Sequence, residues 1–362
     1  MNYRLATVLA REAVSGDTTK VIDLNLVDPV SQFQVVYESL GAGGGSADAH
    51  AARCVTKIEL IDGSDVLFSL SGQEAQAVDW YHNLCENGSD PVYVNTGLAT
   101  MVFPMNFGRY LWDTMFAFDP RKFSNPQLKI TIDVDAGGVG SSSGFLTVLG
   151  FIFDEKAISP EGFLMHKEVK NYGLGSATHE YTDMPTDYPY RKLFVAAQVV
   201  EVQIASLLDT IKLTEDNDRR IPINNLVAQL LTNVVGAGPP YRETVLMSCG
   251  APTGSFYCTP CFRPRITATS WEVANMDATI SLMGAWGGKG TIKCSALITG
   301  VMITVTGYAP HGAIEIPFGL QNDPADWYDV TRLGSLSLDI LSITGRTSAD
   351  TVQVYLQQLR RY

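Results

Sequence analysis

Basic residues are scarce. The 362 residues contain 26 Lys and Arg against 38 Asp and Glu, a formal net charge of −12. Phosphate contacts need clustered cations, so a surface that grips nucleic acid along its whole length is excluded. Charged residues of both signs make up only 18% of the chain and hydrophobic residues 46%, too apolar for disorder and ample for a large core. The six cysteines are too few for a disulfide framework at this length. Long apolar runs are also missing, and none reaches the ~18 residues of a spanning helix. The longest, Ala296 to Ala309, is interrupted by three Thr and two Gly and reads as buried β structure. The apolar stretch Leu5 to Ala10, held between Arg4 and Arg11, is too short for the core of a secretory signal. The expectation is a soluble, acidic protein made in the cytoplasm.

What is abundant is turn chemistry, with 32 Gly and 17 Pro, set between β-branched or alternating runs. Such runs recur from Lys20–Leu26 to Thr351–Leu356, among them Asp65–Leu70, Gly144–Phe153 and Tyr190–Val202. Only Gly72–Asn83 and Asn224–Val235 read as helix, with Ser71 and Asn224 placed as N-caps. Each helix follows a hairpin, and the two units align without a gap. Ile58, Leu60, Phe68, Leu70, Ala75 and Gln76 fall opposite Ile211, Leu213, Ile221, Ile223, Ala228 and Gln229, an offset of 153. Further on, Phe107-Gly108 with Trp112-Asp113 echoes Phe318-Gly319 with Trp327 and Asp329. The pattern is a tandem duplication of one β domain. Many short strands with one inserted helix per half give an all-β fold of two tandem jelly rolls, each an eight-stranded sandwich.

The expected layout is an N-terminal arm (1–19), a first jelly roll (20–158), a linker (159–189) and a second jelly roll (190–362). The second carries a large insertion at about 236–310, which holds four of the six cysteines. An insertion of that length must leave the sandwich at one end as a separate excursion. The glycine tracts 41–51 and 136–144 read as loop tips. In the arm, Leu5, Val8, Leu9 and Ala13 would share one face of a short helix.

Four segments carry a resemblance: IELIDGSDVLFSLSGQEAQ (58–76), MNFGRYLWDTMFAFDPRKFSNPQLKITID (105–133), MPTDYPYRKLFVAA (184–197) and IKLTEDNDRRIPINNL (211–226). In order and spacing the chain resembles the double-jelly-roll major capsid proteins of tailless icosahedral viruses, the corticoviruses and tectiviruses among them. The resemblance runs from about residue 18 to the C-terminus, and the large second-half insertion departs from it. It implies a structural protein of the virion rather than an enzyme, made in the host cytoplasm and assembled as a homotrimer whose six barrels form a pseudo-hexagonal tile. It implies neighbouring capsomers, penton and minor capsid proteins as partners, an inner membrane beneath the shell, and no sequence-specific nucleic-acid binding. Threefold assembly of a duplicated barrel gives the near-sixfold outline that tiling needs. In the family, N-terminal arms often point inward, towards a membrane or a neighbouring trimer.

Each motif with chemical potential also has a structural reading. Cys258-Thr-Pro-Cys261, with Cys249 and Cys294 flanking, leaves zinc, a disulfide within the insertion and free thiols open. Gly140-Ser-Ser-Ser-Gly144 fits G-x-S-x-G, but a strand follows where a nucleophile elbow needs a helix. Trp286-Gly-Gly-Lys-Gly-Thr291 lacks the first glycine and the helix of a phosphate loop and reads as a turn. Glu215-Asp-Asn-Asp218 has calcium-binding residue types, yet sits at the turn equivalent to Asp62–Asp65. The histidines (His50, His82, His166, His179, His311) show no metal spacing. Asp113 and Asp329, recurring in both halves, read as turn or cap residues. No catalytic, cofactor-binding or metal-ligating residue is assigned, and no cofactor is expected. The rival readings are a carbohydrate-active enzyme on two jelly rolls and a glycan- or receptor-binding virion protein. The enzyme needs paired carboxylates in a groove lined by aromatics such as Trp80, Trp112, Trp271, Trp286 and Trp327.

Overall fold

Side chains that alternate between two faces become strands, and the face that each buries sets the layers. The computed structural model describes residues 1–362 apart from 42–45, 139, 141–142, 251 and 271–277. In the first half the chain forms β1 (Tyr3–Val14), β2 (Thr18–Asp23), β3 (Val30–Leu40), β4 (Val55–Asp62) and β5 (Asp65–Leu70). Helix α1 (Gly72–Asn83), β6 (Val92–Tyr93), β7 (Leu98–Asn106), β8 (Pro126–Ile132) and β9 (Gly144–Phe153) follow. The second half starts with β10 (Gly162–Gly173), β11 (His179–Asp183), β12 (Tyr190–Ala197), β13 (Leu208–Glu215), β14 (Arg220–Leu226) and helix α2 (Val227–Ala237). An excursion follows, made of β15 (Tyr241–Cys249), β16 (Gly254–Tyr257), β17 (Pro260–Ser270), β18 (Ile280–Gly284), β19 (Lys289–Cys294) and β20 (Ile298–Pro310). The chain then returns through β21 (Ala313–Pro317), β22 (Leu336–Ser342) and β23 (Thr351–Arg361).

The first half packs a sheet ordered β1-β9-β3-β7 against strands ordered β2-β8-β4-β5, the jelly-roll order. Replacing these with β10, β11, β12, β13, β14, β21, β22 and β23, in chain order, reproduces the second half: β10-β23-β12-β21 over β11-β22-β13-β14. The duplication is therefore present strand for strand. The two sandwiches share one eight-stranded sheet, β2-β8-β4-β5-β10-β23-β12-β21. Its joint is the short parallel pair β5–β10, with Phe68 opposite His166 and Ser69 opposite Lys167. One apolar cluster runs from Val14 through Trp80 and Phe194 to Leu356, so the halves share a core.

Chain direction alternates along the strands, which places the β3–β4, β8–β9 and helix-bearing connections at one end and the β4–β5 and β7–β8 connections at the other. Bonds between loops agree: Asp48 donates its N–H to the Gly138 carbonyl at the first end. At the second end Asp62 accepts from the backbone N–H of Ser124 (3.1 Å) and Asn125 (2.7 Å).

Three sequence expectations are corrected. The arm 1–19 is not a helix ahead of the first strand, because Tyr3–Val14 is itself the edge strand β1, paired along its length with β9. Its register shifts twice, between Thr7 and Leu9 and between Leu9 and Glu12, and these irregularities erase the period-two signal. The linker 159–189 contains β10 and β11, the first two strands of the second sandwich. Asn224 is not an N-cap, since the β13–β14 ladder continues through Asn224–Lys212 to Leu226–Thr210 and the helix starts after Leu226. Helix α1 starts where the sequence places it. Ser71 Oγ accepts from the Glu74 N–H at 3.3 Å, and Glu74 Oε2 accepts from the Ser71 N–H at 2.6 Å, a capping box. Gly72 at its first turn admits no side chain, since a Cβ there would lie 2.6 Å from the Ala52 carbonyl oxygen and 2.7 Å from the Phe103 ring. Parts of the glycine tracts 41–51 and 136–144, including Ser141 and Ser142, lie outside the described residues.

Candidate functional site

The features that bear on function are the joint between the sandwiches, the excursion at one end and a cleft beside the joint. At the joint, α1 of the first sandwich is wedged against the second. Tyr81 donates its hydroxyl to the Ala313 carbonyl at 2.7 Å, and Lys192 Nζ donates to the Tyr81 carbonyl at 2.7 Å. Gln73 Nε2 donates to Gln198 Oε1 at 3.0 Å, and His311 Nε2 lies 2.8 Å from Gln76 Oε1. At the outer margin Arg360 Nη1 donates to Asp65 Oδ1 at 2.9 Å, and at the second end Arg109 Nη1 donates to the Asn322 carbonyl at 2.8 Å. Buried polar groups are costly unless paired, so this network fixes one relative placement of the halves.

The joint also gathers titratable groups. Burial, with Arg191 close by, holds His82 well below its ordinary value and His166 at about 3, and burial likewise depresses His311. Burial pushes Glu74 up to about 7 and Asp79 up to about 6. Asp79 Oδ1 accepts from Asn83 (2.7 Å) and Asn106 (2.8 Å), so it is part of the helix packing.

The excursion is built by both halves. Its strand β15 pairs in parallel with β6 of the first sandwich, Leu246 opposite Val92 and Met247 opposite Tyr93. The Ala47 N–H donates to the Ser255 carbonyl at 2.9 Å, and the Tyr93 hydroxyl donates to the Tyr257 carbonyl at 3.2 Å. The excursion has its own apolar core, including Tyr93, Val245, Phe256, Ile292, Val301 and Ile303. A disulfide, Cys249–Cys294, with Cα atoms 5.8 Å apart, ties the end of β15 to the end of β19. Of the three states left open for these cysteines, the structure thus shows a bridge for one pair. Cys258 and Cys261 are free and buried. Burial pushes Cys261 up to about 12 and Cys258 well above its usual value, so both are protonated thiols at neutral pH.

The remaining motifs fall into turns. In Glu215-Asp-Asn-Asp218 each carboxylate has one oxygen engaged within the protein: Asp216 Oδ1 accepts from the N–H of Gly334 (2.8 Å) and Ser335 (3.0 Å), Asp218 Oδ1 from Lys212 (2.9 Å), and Glu215 Oε1 from Arg220 (2.8 Å) and the Tyr328 hydroxyl. Asp216 thereby repeats the latch that Asp62 makes in the first sandwich, one residue out of register with the 153-residue offset. Sequence reasoning missed this pair, whose signal was an acidic residue at each β4–β5-type turn. Asp113 and Asp329 both accept the N–H two residues on, from Met115 at 3.0 Å and Thr331 at 3.1 Å. Trp286–Gly288 is one turn of 3-10 helix leading into β19. His179 meets Asp339 on the surface at 2.8 Å, and His50 and His311 stack edge to face with centroids 4.9 Å apart. The tryptophans are dispersed: Trp80 is in α1, Trp112 meets Phe153 edge to face, Trp327 caps the β7–β8-type loop of the second half, and Trp271 lies outside the described residues.

A cleft of about 420 Å³ opens beside the joint, between α1, α2 and the edge strand β21. Trp80, Leu84, Val234 and Pro317 form its apolar wall, and Arg109, Arg191, Lys192 and Glu315 its charged groups. Neither Glu74 nor Asp79 lines it.

No family model matches the sequence, and no curated protein matches it. Solved structures do match, over nearly the whole chain. The major capsid protein of Sulfolobus turreted icosahedral virus superposes with a TM-score of 0.60 at 12% identity, covering 99% of this chain and 96% of that one. The major capsid protein P2 of bacteriophage PM2 gives 0.55 at 10% identity, with coverage of 99% and 98%. VP54 of PBCV-1 gives 0.58 at 10% identity, with coverage of 99% and 94%. At these identities the likeness is one of fold: the chain has the double jelly-roll architecture of these proteins.

Proposed function

We propose that this chain is the major capsid protein of a tailless icosahedral virus, a structural component of the virion with no catalytic role. The observation that carries the reading is the strand-for-strand duplication fused through one eight-stranded sheet. A rigid pair of equal barrels gives threefold assembly a near-sixfold outline, the shape that a closed shell needs at its hexavalent positions. Superposition on three viral coat proteins over 99% of the chain supports it.

In this reading the protein forms homotrimers that contact neighbouring capsomers and penton and minor capsid proteins along the barrel sides. The excursion rises at the outer end and faces the host. The opposite end carries exposed Tyr110, Leu111, Met115 and Leu320 and faces inward, towards an internal membrane where the virion has one. The working domain limits are 1–158 and 159–362, the strands of the former arm and linker being taken into the sandwiches they pair with.

Native mass spectrometry of the purified chain tests the proposal. The expected species has three times the 39.4 kDa monomer mass. A stable monomer that cleaves a glycan would replace the capsid reading with the enzyme.

A further inference from the structure

The charges around the cleft beside the joint do not balance. Arg109 is paired with Asp113 through two bonds, Nε to Oδ2 at 2.7 Å and Nη2 to Oδ1 at 2.9 Å. Lys192 is paired with Glu315 at 3.1 Å. Arg191, only 2% exposed, has no carboxylate in contact among the described residues. Its guanidinium bonds to neutral groups alone: Nε to the Gln321 carbonyl at 3.1 Å, and Nη1 to Gln357 Oε1 at 2.9 Å and His82 Nδ1 at 3.1 Å. Burial pushes Arg191 down to about 10, which leaves it cationic at neutral pH. Glu315 and Asp113 act on it only from beyond ion-pair distance, and a buried charge with no carboxylate in direct contact is costly and is ordinarily paired.

Three cations against two carboxylates leave one positive charge, in a chain whose net charge is −12. The cleft volume, about 420 Å³, is in the range of small-ligand sites, and its wall is mostly apolar. A dianion such as phosphate would meet the Glu315 carboxylate in the lining and a cation, Arg109, already neutralised by Asp113. A monoanion on an apolar stem meets one free cation and an apolar wall.

We propose that this cleft binds a monocarboxylate with an apolar stem, its carboxylate pairing with Arg191 and its stem lying along Trp80, Leu84 and Val234. The site is independent of the capsid reading, and would exist in a monomer as in a shell.

Titration calorimetry of the full-length chain with octanoate, and with octanol as its uncharged match, tests this. Saturable octanoate binding is expected, with a shift in tryptophan emission from Trp80. It should weaken about tenfold or more in Arg191→Gln, the scale of a lost charge-assisted bond. Octanol should bind the native chain correspondingly weakly. Arg332→Gln, at a side chain 89% exposed, should leave octanoate binding unchanged. Absence of saturable octanoate binding, or equal affinity for octanoate and octanol, would overturn the proposal. That pair of ligands decides the matter on the native chain even if Arg191→Gln does not fold. An organic extract of the protein from its producing cells separates two sources. A co-purified carboxylic acid marks a free ligand; octanoate binding without one marks a site for a carboxylate carried on a neighbouring chain.

Discussion

The two helices occupy the same place in the repeat but do different work. Helix α1 is buried nearly all round, from Gly72 through Tyr81, because the second sandwich closes over it. Helix α2 buries one face only, through Val227, Leu230, Leu231 and Val234. The connections that follow diverge in the same way. After α1 the chain reaches β7 within a short loop that holds β6, whereas after α2 it builds the six strands of the excursion. In a tandem pair, the copy whose helix meets the joint is locked by its partner, and the copy whose helix faces outward is free to grow an insertion. Duplication supplies equal barrels, and position decides which one diversifies.

The largest effect is expected from emptying the joint. Trp80→Ala should cost about 3–5 kcal/mol in chemical unfolding, while Val235→Ala on the half-exposed side of α2 should cost under about 1 kcal/mol. Equal losses would erase the contrast between the helices. Next comes the excursion. Removing the Cys249–Cys294 bridge by paired serine substitution should cost about 2–4 kcal/mol. Hydrogen exchange should then rise across β15–β20 and stay unchanged in β1–β5 and β7–β9, and a uniform rise would show that the excursion is not a separate unit.

A smaller effect sharpens the comparison at the first helical turns. Glu74 lies at the third helical position of α1, where α2 has Gln229, whose side chain accepts from the Leu226 N–H. The folded Glu74 titrates at about 7 and the unfolded one near 4.5. Its contribution is therefore complete below about 4.5 and is lost as pH rises through about 7. Glu74→Gln should stabilise the chain by about 1–2 kcal/mol at pH ~8 and change little at pH ~4. Loss of stability at both values would contradict the burial argument. The smallest effect separates the aligned caps. Ser71→Ala should cost about 1 kcal/mol, and Asn224→Ala, within a strand, under about 0.5 kcal/mol.

Much of this architecture was legible in the residues. Asp65–Leu70, Gly144–Phe153 and the helix Gly72–Asn83 lie where periodicity and capping put them. They are elements whose side chains meet a single core, so local pattern and tertiary burial agree. Strands β1 and β10 were missed for opposite reasons. Strand β1 is an exposed, bulged edge in which Leu5 lies 56% open to solvent, so its alternation is broken. Strand β10 begins fully buried and then carries Lys167 at the joint and Glu168 and Lys170 beyond it, between glycines at both its ends, which looks like linker composition. The cleft beside the joint could not be read at all. Arg109, the adjacent pair Arg191 and Lys192, and Glu315 come from three distant parts of the chain, and the docking of the two sandwiches brings Arg109 to the others. The cysteine pairing was undetermined for a related reason, since four cysteines in one insertion allow several connectivities.

Electron microscopy of the assembled protein tests the central claim most directly. The account predicts six-lobed tiles on a hexagonal lattice, each with three protrusions rather than six, because one sandwich in every pair carries the excursion. Isolated two-lobed particles at concentrations where the protein is abundant, or tiles with six equal protrusions, would contradict it.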